Sequence, residues 1–121
     1  MRQADFHTHV AQKLGIIMVS GSLSVEDRDV IQSAYDRLML ELNEHELSFW
    51  RGDEDVPDTY ADILIGMTAA NLVDDFVIQD PRRSQIIGQF AWGLVPVSPG
   101  ERRLRAMMRL PATGAPVVEY F

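Results

Sequence analysis

The uncharged stretch from Ile63 to Val73 limits the possible folds of this chain more than any other feature. Its apolar and small residues point in every direction round a 3.6-residue turn, and a helix of that kind is normally buried on most sides. Gly66, Ala69 and Ala70 are small enough to let another backbone approach closely. The pattern predicts a central helix that starts at Pro57, where a proline suits the first turn, and extends to Phe76.

Two helices are predicted before this central one. Residues 3–14 place Phe6, Val10 and Leu14 on one face, and Gly15 follows as a terminator. Ser24 is a good N-cap for a second helix that runs to about Glu44. Its apolar stripe, which should pack against the central helix, consists of Ile31, Ala34, Tyr35, Leu38 and Leu42.

Two shorter helices are predicted after it. Asp80-Pro81 has the character of an N-cap and a first helical residue, and the helix should end near Gly93. Its apolar face would hold Ile86, Ile87, Phe90 and Leu94. Ser98-Pro99-Gly100-Glu101 is a capping box that opens a short basic helix. The arginines of this helix, which are candidates for contacts between subunits, are Arg102, Arg103, Arg105 and Arg109.

The predicted fold class is therefore all-α: a compact bundle of about four to five helices over residues 1–110, with an extended segment over residues 111–121. Prolines and a glycine exclude a helix from the last segment, yet it ends in apolar and aromatic residues. Such a segment usually docks on its own core or on a partner. The residues predicted to bind a partner are Pro111, Thr113, Gly114, Pro116, Val117, Val118, Tyr120 and Phe121.

The composition is that of one ordinary globular domain, 46% hydrophobic and 24% charged, with no cysteine and a net charge of −7. Residues 1–80 carry five basic and sixteen acidic residues, a net −11, whereas residues 81–121 carry six arginines and two glutamates, a net +4. An acidic body argues against ordinary duplex DNA binding. The asymmetry suits contact between the basic end of one subunit and the acidic body of another, although a solvated acidic surface with scattered arginines explains it equally well.

No motif indicates catalysis, a cofactor or a metal. His7 and His9 are two residues apart on a helix and would not share a face, which makes a zinc site improbable. Solvated charges at a helix end explain Glu44-His45-Glu46 better than acid–base chemistry does. Asp74-Asp75 is unfavourable at a helix C-terminus and is expected to pair with Arg82, with Arg83 or with a neighbouring molecule.

The order of features resembles a known family. The residues that carry the resemblance are Ala11 and Lys13-Leu14-Gly15; Ala34, Leu38 and Leu42; Trp50; Tyr60, Leu64, Ala69-Ala70, Leu72 and Phe76; Ile86-Ile87 and Gly93; Arg109 to Gly114; and Tyr120-Phe121. Taken in this order, the chain resembles the head-to-tail adaptors of tailed bacteriophages, also called packaged-DNA stabilisation or tail accessory proteins, and the related adaptors of gene transfer particles. The chain departs from the longest members by its short first loop.

This resemblance implies a structural protein of the virion neck that is in the host cytoplasm before assembly. The family forms a ring, usually of twelve copies, beneath the portal, and DNA passes through without specific binding. The family's portal clamp would correspond to Pro111–Phe121, and a tail, nozzle or stopper protein would bind the far side. The family implies no catalytic activity, no cofactor and no membrane contact.

Three other functions stay open. A small helical DNA-binding or regulatory protein would use Arg102 to Arg109 as its basic element. A small helical enzyme would use the histidines and carboxylates, with His45 as the first residue to test. Another phage neck protein, such as a stopper or tail completion protein, would share the structural class, although many of those are β-rich.

Overall fold

Five α-helices make up the fold of this chain in the computed structural model, which describes residues 1–17, 21–48 and 50–109. They are α1 (Gln3–Leu14), α2 (Val25–Glu44), α3 (Asp58–Leu72), α4 (Arg82–Phe90) and α5 (Pro99–Arg109). No strand occurs within these described ranges. The prediction of an all-α bundle of four to five helices is confirmed.

Helix α3 is the centre of the bundle, as its uncharged sequence predicts. It packs against each of the other four helices, while α1 also contacts α2 and α4 also contacts α5. Ile63 to Ala70 are all buried, so this part of the helix has no face turned to water. The α1–α2 pair and the α4–α5 pair therefore each pack against α3, and the five helices share one core.

The end of the central helix was predicted wrongly. Helix α3 stops at Leu72, four residues before Phe76, and a turn follows it. Val77 has a φ of 52°, and the Ile78 N–H donates to the carbonyl oxygen of Val73 over 2.8 Å. The chain turns at this left-handed residue. Asp74 and Asp75 lie in the turn and not in the helix, where negative charges near the C-terminus would be unfavourable.

The first two helices begin and end as predicted. Gly15 ends α1 with a φ of 78°, and the Arg82 guanidinium lies where a side chain at this glycine would have to go. Ser24 caps α2, because its hydroxyl accepts a hydrogen bond from the Asp27 N–H over 3.1 Å. The residues of the predicted α2 stripe, all of which are buried, are Ile31, Ala34, Tyr35, Leu38 and Leu42.

An aromatic cluster joins α1, α2 and the chain before α3. The Tyr35 ring lies 4.6 Å from the Phe6 ring, and the Trp50 Nε1–H donates to the Tyr35 hydroxyl over 2.9 Å. Trp50 in turn stacks on Tyr60 at 5.3 Å. The pKa of Tyr35 is raised to about 12, chiefly by burial; the Trp50 hydrogen bond opposes the rise, and the nearby Asp36 carboxylate adds to it.

Helix α4 is shorter than its apolar pattern suggests. Its N-cap is Pro81 and not Asp80 as predicted, and the helix starts at Arg82. Asp80 still supports the first turn, because its Oδ1 accepts from the Ser84 N–H at 3.1 Å and from the Ser84 hydroxyl at 2.6 Å. The helix ends at Phe90 and not near Gly93. Leu94 consequently falls in the following loop and is exposed, so its predicted place on the apolar face of α4 is wrong.

The Phe90 ring holds α3, α4 and α5 together. A Cβ at Gly66 of α3 would lie 2.3 Å from Phe90 Cδ1, and a Cβ at Gly100 of α5 would lie 2.8 Å from the same atom. Lys13 of α1 places its ammonium 4.7 Å from the ring centroid. The close approach predicted at Gly66 is therefore real, but the group that approaches is a ring and not a backbone.

Replacing Gly66 by alanine should destabilise the protein, because the new methyl group would overlap the Phe90 ring. We expect the free energy of unfolding to fall by about 1–3 kcal/mol, despite the gain of about 1 kcal/mol in helix propensity. Gly88→Ala in α4 is the matched control, since nothing lies within 4 Å of its new methyl group. Urea unfolding of both variants tests this, and a Gly66→Ala protein as stable as the wild type would contradict it.

Ionisation of Tyr35 should limit stability at alkaline pH. Its folded pKa of about 12 lies above the ordinary value of about 10, so the folded state holds the phenolic proton more tightly than the unfolded state. That stabilisation is complete below pH 10 and is lost as the pH rises towards 12. The difference in phenolate absorbance between wild type and Tyr35→Phe should titrate near pH 12, and a midpoint near 10 in the folded protein would refute the assignment.

Candidate interaction surface

The surface that the sequence singled out begins at the N-terminus of α5. The Ser98 hydroxyl accepts from the Glu101 N–H over 3.2 Å, which is one half of the predicted capping box. In the other half the Glu101 carboxylate would bind the Ser98 N–H, but the carboxylate has different partners. Glu101 is 3% exposed, and it is the buried charge round which this end of the molecule is organised.

Glu101 fastens the α4–α5 loop to α5. Its Oε1 accepts from the Gly93 N–H over 2.9 Å, and its Oε2 accepts from Arg105 Nε over 3.0 Å. The Arg105 guanidinium also lies 5.0 Å from the Trp92 ring centroid, and His45 of the α2 terminus lies 5.2 Å from the same ring. A buried carboxylate with a cation and an N–H as partners is well satisfied, so this cluster is structural.

The four arginines predicted to contact neighbouring subunits differ in the contacts that they already make within their own chain. Arg105 is held within its own chain by Glu101 and Trp92. Arg102 is exposed and donates one hydrogen bond to the Val97 carbonyl oxygen over 3.2 Å. Arg103 is exposed, and within the described residues neither it nor Arg102 forms an ion pair. Arg109 ends α5, and its side chain lies outside the described part of the structure.

Beside these arginines the chain exposes an apolar loop, which the sequence did not predict. Val95 is 96% exposed, and Leu94 and Val97 are each more than one third exposed. We call residues 94–97, which include Pro96, the apolar loop. The bonds from Gly93 to Glu101 and from Arg102 to Val97 hold both of its ends on α5.

The segment predicted to dock on a partner lies outside the described residues. This applies to Pro111, Thr113, Gly114, Pro116, Val117, Val118, Tyr120 and Phe121, for which docking stays a prediction. One other expected contact is present: the Arg83 guanidinium lies 2.6 Å from Asp74 Oδ1, so one of the two adjacent aspartates is paired within the chain.

The histidines occupy three different environments. His7 is buried, with its Nε2 2.5 Å from Gln32 Oε1, whereas His9 is exposed on the opposite side of α1. The two rings therefore do not share a face. His45 contacts Trp92 and lies 4.0 Å from Glu41. Among the described residues, no three or more acidic, histidine or cysteine side chains are close enough together to hold a metal ion.

In comparisons with known proteins, no family model matches this chain, and no curated protein or solved structure is similar to it. The resemblance to phage adaptors thus depends on the residues quoted for it alone. Within the described ranges, no helix has the length and apolar character needed to cross a membrane.

Removing the Glu101 carboxylate should loosen the loop and α5 together. Glu101→Ala leaves the Gly93 N–H and Arg105 without their partner, and we expect it to lower the free energy of unfolding by about 1–3 kcal/mol. Glu101→Gln keeps an acceptor for Gly93 and should cost less. Hydrogen exchange at Gly93 should accelerate in Glu101→Ala, whereas Glu44→Ala, at an exposed position of α2, should change neither property. Unaltered Gly93 exchange would show that this hydrogen bond does not hold the loop.

Proposed function

We propose that this chain is a structural head-to-tail adaptor of a phage or phage-like particle, which forms a ring under the portal and helps to retain packaged DNA. The observation that carries the proposal is the order of the adaptor-like residues along the chain, many of which lie at a helix end or in the buried core. Lys13-Leu14-Gly15 ends α1, Leu38 and Leu42 lie on the buried stripe of α2, and Leu64, Ala69 and Ala70 lie in the buried part of α3.

The distribution of charge supports a ring that DNA passes without being gripped. Exposed carboxylates dominate α2 and the connection to α3, including Asp36, Glu41, Asp53 and Asp55. A surface of this sign repels phosphates, which suits the wall of a channel through which DNA moves. Arg105, one of the few cations that could bind DNA, is already held by Glu101 and Trp92. This weakens the alternative of a DNA-binding protein that uses α5.

The helical bundle and the C-terminal segment would then have separate roles. The bundle of α1 to α5 supplies the body of the ring and contacts the tail-side partner. Residues 111–121 bind the portal, so this part of the chain contributes to attachment only when the portal is present. The free protein is accordingly a monomer or a weakly associated species, and repeated contacts round the ring strengthen attachment by multivalency.

Deleting residues 117–121 should abolish binding to the portal and leave the bundle folded. The chain would be co-expressed with the product of a portal gene found next to its own gene, and binding would be followed by co-sedimentation and electron microscopy. Urea unfolding should be unchanged in the deletion variant, because each helix found in the described residues ends before the deleted ones. The matched control is Leu40→Asp, which changes an exposed residue of α2. This variant should bind the portal as the wild type does.

Unchanged attachment of the deletion variant would refute the role of residues 117–121. A stable ring in dilute solution without portal would refute assembly on docking. Salt-dependent binding of the free protein to random duplex DNA would favour the DNA-binding alternative instead. A portal gene and a major capsid gene next to the gene for this chain would be independent support.

A further inference from the structure

A cleft between α1 and α4 collects positive charge and has no acidic residue in its lining. Both helices pack against α3. The space between them has a volume of about 320 Å³, which is within the range of about 300–1,000 Å³ that is usual for ligand pockets. We call it the basic cleft. Four of its five lining side chains end in N–H donors; the five are Lys13, Arg82, Gln85, Ile86 and Gln89.

The donors of the basic cleft come from two walls. Arg82, Gln85 and Gln89 stand at positions i, i+3 and i+7 of α4, and residues at this spacing fall on one side of a helix. Lys13 lies in the last turn of α1 and supplies a second cation from the other wall. Two cations and two side-chain amides therefore border the same space, which is an arrangement suited to an anion.

These donors have no acidic partner in the described part of the chain. Among those residues, the side chains of Arg82, Gln85 and Gln89 form neither an ion pair nor a hydrogen bond, and Lys13 forms no ion pair. The next residue along α4 differs in this respect, because the Arg83 guanidinium lies 2.6 Å from Asp74 Oδ1. The basic cleft thus keeps its positive charge in a chain of net charge −7.

Both cations are held in position by contacts that leave their charge unpaired. The Arg82 guanidinium lies against Gly15, where a Cβ at that glycine would have to be. The Lys13 ammonium lies 4.7 Å from the centroid of the Phe90 ring. Because these contacts fix the cations in advance, an anion that binds between them costs less conformational entropy than one that must order two free side chains.

The end of α1 explains only part of this charge. The negative end of a helix dipole amounts to about half an elementary charge, which attracts cations to the last turn. Two carbonyl oxygens of that turn, on Ala11 and Gln12, already accept hydrogen bonds from the backbone N–H groups that follow the helix. Asp80, the acid nearest to α4 in the sequence, has its Oδ1 bonded to Ser84. Two full cations therefore leave the basic cleft positive.

We propose that the basic cleft binds the phosphate group of a small molecule, which is either inorganic phosphate or a phosphate monoester. A phosphate monoester carries a charge of about −1.5 to −2 at pH 7 and three strong acceptor oxygens, so it matches two cations and two amides. A carboxylate carries one charge on two oxygens and would leave one of the cations unpaired. This site goes beyond the proposed function and does not depend on it, because it consists of residues of α1 and α4 within a single chain.

An NMR titration of the isotopically labelled protein tests the site. Sodium phosphate would be added at about pH 7.5, where the dianion dominates, with sodium chloride at equal ionic strength as the reference. The backbone amide of Gly15 and the side-chain amides of Gln85 and Gln89 should shift in a saturable way, with a Kd on the order of 1 mM because the cleft is open to water. Sodium acetate should bind at least about tenfold more weakly, since it supplies one charge fewer.

Three variants and a matched control connect the binding to the named residues. Lys13→Gln and Arg82→Gln should each weaken phosphate binding at least about tenfold, because each removes a charge-assisted contact. Gln89→Glu keeps the length of the side chain and both cations but adds a carboxylate to the cleft, so it should abolish binding without lowering stability to urea. Arg83→Gln removes the same charge from the neighbouring residue, which is paired with Asp74, and its affinity should stay within about twofold of the wild type.

The same titrations identify the source of the phosphate group. Glycerol phosphate that binds at least as tightly as inorganic phosphate would support a monoester as the ligand, whereas binding of inorganic phosphate alone would support the free ion. No saturable shift up to about 10 mM phosphate, or equal losses in Arg82→Gln and Arg83→Gln, would overturn the proposal.

Two other results would also refute a small phosphate ligand. Acetate bound as tightly as phosphate would make the basic cleft a carboxylate site. Short duplex DNA that binds more tightly than phosphate, and loses this binding in Lys13→Gln and Arg82→Gln, would make it a nucleic-acid contact and would favour the DNA-binding alternative.

Discussion

The structure depends on covering a helix that has almost no polar face. Ile63 to Ala70 are buried without interruption, and an uncharged helix exposed on any of these sides would leave apolar surface in water. Four helices are the means of covering it: α1 and α2 form one contacting pair, and α4 and α5 form another. Small residues at Gly66, Ala69 and Ala70 decide how closely these pairs approach. The Phe90 ring, which fits between Gly66 and Gly100, fixes the position of α4 and α5 in particular.

Much of this could be predicted from the sequence, because helices with clear periodicity and caps are determined locally. Ser24 and Gly15 mark helix ends by their own backbone preferences, and the α2 stripe is buried as its spacing implies. The errors arose where tertiary contacts compete with local pattern. Leu94 continues the period of Ile87 and Phe90, but the helix ends at Phe90, where Ala91 turns to extended backbone. The end of α3 was missed because a left-handed valine, unlike a glycine, gives no signal in the sequence.

The polar side of the candidate surface was predictable only in part, for a similar reason. Counting arginines in α5 gives a basic element, but the count does not say which cations are already neutralised. Glu101 was expected to complete a capping box. It binds instead to Gly93, which the loop brings over the helix N-terminus, and to Arg105, which lies one turn further along the same helix. The surface that remains available is therefore Arg102 and Arg103 beside the apolar loop, and this combination could not be found by reading α5 alone.

Holding the apolar loop in water has a cost for the single chain. A flexible loop with Leu94, Val95 and Val97 would reduce its exposed apolar area by folding onto the nearest surface. Here a buried carboxylate and an arginine are used to prevent that, so the loop keeps one shape with its valine in water. Preorganisation of this kind lowers the entropy that a later contact must overcome. In the adaptor ring that we propose, a loop held in this way would make each weak contact more specific, and many such contacts acting together would give a firm structure.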